Sequence, residues 1–308
     1  MANIVVQQTS VKRNTISISQ IAPLICLDAY NNFPRITCEI WRRYDPIDFK
    51  MYEDKLKEQG YQIATSNEMN DIWEIDNALG TNILQQVKDV NSNKDKSSGE
   101  MVSNQETISK YINDNSKLAS LDATQKQIIA QKVCSITNKM HGIINEDSIM
   151  AEFCRHSEKT IKDTQGWVEI QIDMWVIVGK YDGITTDNEL VEAKMRQKAL
   201  FKKIRDYENV QVQLYLHALK LEQAYLVESY TNKKNINTIY VNEVKYDKNY
   251  VTDIVLERIS IFIKFFNVLM DKTLNSTHMK EGLLKGDKDR KIYNIYKHQY
   301  IGIEEIDF

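Results

Sequence analysis

The chain has few of the residues that interrupt regular secondary structure. Of its 308 residues, 10 are glycine and 3 are proline. Because these two residues mark turns and loops, their scarcity favours a largely helical protein with few tight turns. The four cysteines are also widely spaced and none belongs to a C-x-x-C pair, so zinc-ribbon and dithiol redox sites lack support; they are Cys26, Cys38, Cys134 and Cys154.

Long apolar runs and a strong net charge are missing as well. No apolar run reaches the roughly 18 residues that a membrane helix needs. The opening residues, MANIVVQQTSVKRN, hold no apolar segment followed by a small-residue cleavage site, so they do not predict a signal peptide. With a net charge of -3, any contact with nucleic acid must come from local basic patches. We therefore expect an intracellular protein of the cytoplasm or nucleus, with no membrane contact. The many Lys, Asn and Ile residues are typical of an AT-rich genome, such as that of some viruses.

Composition and apolar spacing divide the chain into four parts of one predicted domain, 1–308. Residues 15–44 predict an N-terminal helical unit, with Ser17 or Ser19 as its cap. Residues of about 45–125 are polar and predict an insertion with some helix and no catalytic part. Residues of about 126–275 predict the catalytic core, and 276–308 form a charged, aromatic tail whose structure the sequence leaves open.

Within the core, helical and strand periodicities follow one another. A long helix is predicted over 123–156, where Ile129, Val133 and Ile136 fall at helical spacing. Alternating residues predict strands over 166–185 and 189–195, before a helix over 206–221. A hairpin over 223–244 and an amphipathic helix over 250–272 complete the series. This order predicts an α/β fold with a central mixed β-sheet flanked by helices.

A group of charged residues lies in the strand region GKYDGITTDNELVEAKM. Asp182 follows one strand, and Glu192 and Lys194 share one face of the next, since residues i and i+2 point the same way. Two carboxylates on a sheet suit Mg²⁺, which prefers oxygen ligands and keeps several waters. A lysine beside them would orient an attacking water and stabilise charge on a phosphate. The simpler alternative is a solvated strand face, because a chain rich in these residues matches such a pattern by chance.

Three neighbouring features favour the catalytic interpretation. Gly183 follows Asp182 and leaves room for a close approach of backbone or substrate. Gln211 and Tyr215 lie four residues apart on one helix face just downstream. Glu146 lies on a helix upstream, where it could complete a metal site.

These pieces resemble the PD-(D/E)XK nuclease superfamily, and most of all its phage lambda exonuclease and viral recombinase branch, with the RecB-type nuclease domains close behind. That family has an acidic helix residue, a strand Asp, a strand E-x-K and a helix Gln, in that order. The chain has Glu146, Asp182, Glu192-Ala193-Lys194 and Gln211. Gly142 to Glu146 matches G-x-x-x-E, Gln211 and Gln213 match Q-x-Q, and ISISQIA resembles the S-x-S-x-x-A helix opening. The resemblance covers about 17–41 and 138–270, and 45–125 has no counterpart.

The resemblance implies a restriction-endonuclease-like core and a role for each matched residue. Asp182, Glu192 and the Ala193 carbonyl would bind Mg²⁺, for which Mn²⁺ could substitute, and Glu146 would bind it directly or through water. Lys194 would assist the attacking water, and Gln211 would position Lys194 or the DNA backbone. The family's iron–sulfur members carry cysteines beyond the nuclease core, whereas the last cysteine here is Cys154, so no iron–sulfur cluster is expected.

Several further residues are candidates for DNA contact. Arg196 and Lys198 follow the E-x-K strand and could line a DNA groove, although a solvated helix face would look the same. Gln213 and Tyr215 are candidates on the following helix, with core packing as the alternative for Tyr215. In an exonuclease, a terminal phosphate could be held by three N-terminal residues, for which helix capping and surface charge are the simpler interpretation: Ser17, Ser19 and Arg35.

The function expected from this sequence is a metal-dependent DNA nuclease, and within that class an exonuclease in recombination or end processing. A structure-selective or nicking endonuclease on the same fold stays open. So do a non-catalytic nucleic-acid-binding or assembly protein and a structural protein whose E-x-K strand is only surface. A homo-oligomer and a recombination partner protein are both compatible with the sequence.

Overall fold

The computed structural model describes residues 14–28, 30, 32–61, 63, 68–91, 98–232 and 236–303. Its eight strands within those ranges are β1 (Asn14–Ser17), β2 (Ile161–Thr164), β3 (Trp167–Ile172), β4 (Trp175–Lys180), β5 (Gly183–Thr185), β6 (Leu190–Met195), β7 (Gln223–Thr231) and β8 (Asn237–Lys245). They form two mixed sheets, of order β1-β4-β3 and β2-β5-β6-β7-β8. The pairs β1/β4 and β6/β7 are parallel, and the other pairs are antiparallel.

One long, bent hairpin joins the two sheets. Its first arm is β2 and β3, and its second arm is β4 and β5. At the bend, the Gln165 N–H donates to the Asp182 carbonyl at 3.2 Å, and the Tyr181 N–H donates to the Gly166 carbonyl at 3.0 Å. Asp182 therefore lies where the hairpin passes from one sheet into the other.

Helices pack on both faces of these sheets. The α-helices are α1 (Ile21–Leu24), α2 (Phe33–Tyr44), α3 (Pro46–Glu58), α4 (Glu68–Leu79), α5 (Ile83–Asn91), α6 (Ser98–Asp114), α7 (Ala123–Ser157), α8 (Asp206–Leu219), α9 (Glu257–Met270), α10 (Leu274–Leu284) and α11 (Lys291–Ile295). Short 3-10 turns span Ile18–Gln20 and Ser116–Leu118, and π-helical segments span Tyr250–Leu256 and Tyr296–Ile301. The predicted α/β fold, a mixed sheet flanked by helices, is confirmed.

The helix α7 links two separate cores. Its N-terminal half contributes Ile129 and Val133 to an apolar cluster shared with α4, α5 and α6. We call the helices α4, α5 and α6 with the N-terminal half of α7 the helical bundle. The C-terminal half packs Met150 and Phe153 onto β6 and β7. Gly183, expected to leave room for backbone or substrate, instead accommodates this helix, since a Cβ there would lie 2.3 Å from the Met150 methyl carbon.

The largest core also includes segments that the sequence assigned elsewhere. In α3, Phe49 and Leu56 belong to this core, so the start of the predicted insertion is part of the main body. The described part of the C-terminal segment, 276–303, is folded too: Tyr296 is fully buried and stacks on Phe33 with ring centroids 4.9 Å apart. The strand β1 was not predicted, and it precedes the helical turn that Ser17 caps. No helix within the described ranges has the length and apolar character required to cross a bilayer.

Candidate catalytic site

Strand β6 places the E-x-K residues by simple alternation. Its even-numbered residues face α8, whereas Val191 and Ala193 face α7 and belong to the apolar cluster there. Glu192 is 2% exposed, and its Oε1 lies 2.8 Å from the Lys194 Nζ. The prediction that Glu192 and Lys194 share one strand face is confirmed.

Gln211 on α8 closes a triangle with these two residues. Its Nε2 donates to the Glu192 Oε1 at 2.8 Å, and its Oε1 accepts from the Lys194 Nζ at 3.1 Å. The Gln211 side-chain amide thus hydrogen-bonds both the Glu192 carboxylate and the Lys194 ammonium group. The Lys194 ammonium has three donors, two of which are used here, so a third is left for another acceptor.

Asp182 is joined to the same strand from the side of β5. Its Oδ2 accepts the Ala193 N–H at 2.8 Å. β5 pairs with β6 at Leu190 and Val191, so beyond this point the edge of β6 faces Asp182. Because the N–H and C=O of one strand residue point to the same edge, the Ala193 carbonyl also faces the Asp182 side.

Glu146 approaches from α7 on the other side of the hairpin. Its Oε2 accepts from the Gln165 Nε2 at 3.1 Å, and the Gln165 N–H donates to the Asp182 carbonyl. The structure therefore connects Glu146 to Asp182 through one residue. Gln165 was missed from the sequence, since its role depends on the bend of the hairpin and no local pattern predicts that bend.

The electrostatics of the three carboxyl groups are those of a crowded acidic site. Burial raises the pKa of Glu192 to about 7, although Lys194 acts in the opposite direction. Burial also raises the pKa of Asp182, and burial together with the Asp182 charge raises that of Glu146. Burial alone would lower the pKa of Lys194, but the Glu192 charge reverses this and holds that pKa above its ordinary value. The lysine is therefore a stable cation, and its charge only partly offsets the effect of burial on the three acids.

The donor set fits a divalent cation with oxygen ligands. The Glu192 Oε2 is buried and has no hydrogen-bond partner, which is costly for a carboxylate oxygen unless a cation or a donor reaches it. Among the described residues, no three His, Cys, Asp or Glu side chains converge closely enough to hold a metal by themselves. A site here would thus rest on Asp182, Glu192, the Ala193 carbonyl and water, which suits the preference of Mg²⁺ for retained waters.

Three of the residues expected to contact DNA are instead buried. Arg196 is 8% exposed and lies between two acids, 2.6 Å from the Glu208 Oε1 and 3.2 Å from the Glu228 Oε1. The Gln213 side chain bonds the backbone of the loop after β8, and the Tyr215 Oη donates to the Lys180 carbonyl at 2.8 Å. These contacts hold α8 on the sheets, and they engage all three side chains within the protein, as the alternative of core packing for Tyr215 expected.

The four remaining candidates lie at or near the surface. Lys198 and Ser19 are exposed. The Ser17 N–H donates to the Gln20 side chain at 3.2 Å, which is a capping contact. Arg35 is bound to Glu39 at 2.5 Å. The structure does not bring these four into hydrogen-bond contact with the Glu192–Lys194–Gln211 triangle.

A buried acidic pair around Arg196 was also missed from the sequence. The Glu228 side chain accepts the N–H groups of Phe201 and Lys202 at 2.6 and 3.2 Å, and the Phe201 ring lies 4.1 Å from the Arg196 guanidinium carbon. The loop from β6 to α8 is thereby fixed in place. Glu228 is 34 residues beyond Lys194, so only the parallel pairing of β6 with β7 could have revealed this contact.

No protein-family model matches the chain, and no curated protein matches it. The similar solved structures include an alkaline exonuclease (LHK-Exo) from Laribacter hongkongensis, at 13% identity and a TM-score of 0.36, over 52% of this chain and 87% of that one. The same exonuclease in complex with dAMP is 13% identical at a TM-score of 0.35, over 49% of this chain and 85% of that one. A protein described as SSO0001 is 16% identical at a TM-score of 0.33, over 47% of this chain and 68% of that one. At such TM-scores the likeness assigns no function, and the geometry of the site carries the argument below.

Proposed function

We propose that the chain is a metal-dependent nuclease that hydrolyses phosphodiester bonds in DNA. The observation that carries this proposal is the convergence of Asp182, Glu192, Lys194 and Gln211 at the junction of the two sheets. A solvated strand face does not explain it, because Glu192 is buried and one of its oxygens has no partner. A fold that needed only stability would gain more from apolar residues at these positions.

Each residue has a defined task in this proposal. Asp182, Glu192 and the Ala193 carbonyl would hold Mg²⁺, or Mn²⁺ in its place, with Glu146 reaching it through water. The bound ion would supply positive charge to the phosphate and acidify the attacking water.

Lys194 would act as a fixed cation and not as a base, since its pKa lies above the ordinary value. Two of its three donors are held by Glu192 and Gln211, so the third would donate to the attacking water or to a phosphate oxygen. Such preorganised positive charge stabilises the charge that develops on the phosphate in the transition state. Gln211 would set the orientation of the ammonium group.

The test is a cleavage assay on linear duplex, linear single-stranded and closed circular DNA. Each substrate is incubated with Mg²⁺, with Mn²⁺ and with EDTA, using the wild type and Lys194→Met. The matched control is Lys57→Met, which removes an exposed lysine from α3. We expect metal-dependent cleavage by the wild type and the control, and a loss of about 10²- to 10³-fold in Lys194→Met.

The same assay separates the modes of cleavage. Loss of linear DNA with intact circles would establish the exonuclease that the resemblance implies, whereas cutting of circles would establish an endonuclease. Equal rates in wild type and Lys194→Met would show that this site does not catalyse the reaction. DNA binding without cleavage in any metal would instead favour a binding protein.

A further inference from the structure

A basic cleft lies between α2 and the helical bundle. It is a cavity of about 260 Å³ lined by α2, by Gln20 and by residues of α4 and α7. Four of the lining side chains are cations and two are carboxylates, so positive charge is in excess. The cations are Arg35, Arg42, Arg43 and Lys139, and the carboxylates are Glu39 and Glu68.

The carboxylates do not cancel this charge. Each is paired with one cation, Glu39 with Arg35 at 2.5 Å and Glu68 with Lys139 at 2.7 Å. Arg43 donates to two neutral oxygens, of the Gln20 side chain at 3.1 Å and of the Glu39 backbone at 3.3 Å. Its guanidinium is held in position near Glu39 but forms no ion pair with Glu39 or Glu68, so it can also contact an anion.

One open face of α7 leads from this cleft towards the catalytic site. Lys139, Gly142 and Glu146 lie at positions i, i+3 and i+7, which share one side of a helix. Gly142 is half-buried, and among the residues that the structure describes a Cβ added to it would meet no atom within 4 Å. Glycine inside a helix costs about 1 kcal/mol relative to alanine, and no close packing against the described side chains requires it at this position.

The far end of this face meets the catalytic residues. Glu146 accepts from the Gln165 side chain, and the Gln165 N–H donates to the Asp182 carbonyl. The seven residues from Lys139 to Glu146 rise about 10 Å along the helix. That length spans only a few phosphates of one DNA strand.

We infer that this open face and the basic cleft are the track of a DNA strand, with backbone phosphates at Arg43 and Lys139 and a phosphodiester at the catalytic residues. The inference rests on the proposed function and extends it by giving the helical bundle a role as one wall of the track. Gly142 keeps the track open because a side chain there would stand in the path of the strand.

The test measures binding apart from cleavage. The affinity of a fluorescein-labelled single strand of DNA is measured by anisotropy in EDTA, over a series of salt concentrations. The first variant is Arg43→Gln/Lys139→Gln, and its matched control is Lys50→Gln/Lys57→Gln, which removes two exposed lysines from α3. We expect a loss of about tenfold in affinity in the first variant, with a salt dependence smaller by about one phosphate contact per residue. The control should bind like the wild type.

A second pair of variants tests the path itself. Gly142→Trp fills the open face, whereas Gly142→Ala adds a methyl group and improves helix propensity. We expect weaker binding in Gly142→Trp and wild-type binding in Gly142→Ala, with thermal unfolding unchanged or improved in both. The inference would be overturned if Arg43→Gln/Lys139→Gln bound DNA with the affinity and salt dependence of the wild type. The same result for Gly142→Trp would overturn it, and so would a wild type that binds no DNA. A wild type that binds through these residues yet cleaves nothing would refute the proposed function and leave the track intact.

Discussion

The buried carboxyl of Glu192 should make the stability of the metal-free protein depend on pH. Burial raises its pKa from 4.5 to about 7 in the folded protein, whereas the unfolded chain ionises near 4.5. Between these values the folded state binds more protons than the unfolded state, so the free energy of unfolding falls as the pH rises. Glu192 thus stabilises the folded protein below pH 4.5, and this stabilisation is lost above pH 7. At about 1.4 kcal/mol per pH unit, the loss in the free energy of unfolding is about 3 kcal/mol.

The perturbation is Glu192→Gln, which keeps the shape of the side chain and an oxygen for Lys194 but cannot ionise. Urea unfolding is measured at pH 5 and pH 8 in EDTA for the wild type, for Glu192→Gln and for Glu243→Gln, a control at an exposed acid on β8. We expect the wild type to lose about 2.5 kcal/mol relative to Glu192→Gln between the two pH values, because pH 5 already lies above the unfolded pKa. Glu243→Gln should follow the wild type.

The same prediction extends to the effect of Mg²⁺ on the stability of the protein. With Mg²⁺ present at pH 8, the stability of the wild type should rise towards that of Glu192→Gln, because a ligand that binds only the folded state stabilises it. A difference between wild type and Glu192→Gln that is the same at pH 5 and pH 8 would refute the assignment of a buried carboxyl with a raised pKa to this position.

Three further substitutions have distinct expected effects. Arg196→Met should lower the free energy of unfolding by about 3 to 5 kcal/mol, measured by urea, because it leaves two buried carboxylates without their partner; an effect below about 1 kcal/mol would contradict the network. Gln211→Leu should lower kcat with little change in KM in a steady-state cleavage assay, since it releases Lys194 from its fixed orientation; a change confined to KM would point to DNA binding instead. Lys198→Ala should reduce the salt dependence of DNA affinity by about one phosphate contact and leave unfolding unchanged, because the side chain is exposed; an unaltered salt dependence would remove Lys198 from the DNA surface.

Local periodicity was sufficient for the part of the site that lies on one strand. Glu192 and Lys194 are two residues apart, and the alternation of a strand fixes their common face whatever surrounds them. The helix that carries Gln211 was also evident from its spacing. The family resemblance led us to expect these residues together, and the order of helices and strands predicted the α/β fold with a mixed sheet.

The residues that depend on distant contacts could not be predicted in this way. Arg196 follows Lys194 by two residues and reads as a cation of the same face, yet its burial results from Glu228 on the neighbouring parallel strand. For Tyr215 the sequence left DNA contact and core packing open, and the structure has its hydroxyl donating to the Lys180 carbonyl. Pairing across strands and packing between layers decide such positions, and neither leaves a local pattern.

The same limit applies to the segments that flank the core. The charged and aromatic C-terminal segment has no clear periodicity, but Tyr296 anchors it among the rings of Phe33 and Phe265. For the polar region before α7 the sequence predicted some helix and no catalytic part. Its apolar residues are few, and they form a cluster because α7 supplies the rest of it.

The most direct test of the account is the rate at which linear duplex DNA is cleaved in Mg²⁺ by the wild type and by Asp182→Asn. Asparagine preserves the shape of the side chain and an oxygen that can accept the Ala193 N–H, so the fold should be retained, as unfolding measurements would verify. The account predicts cleavage by the wild type that EDTA abolishes, and a rate lower by about 10²-fold or more in the folded Asp182→Asn protein. Equal rates in the two proteins would contradict it.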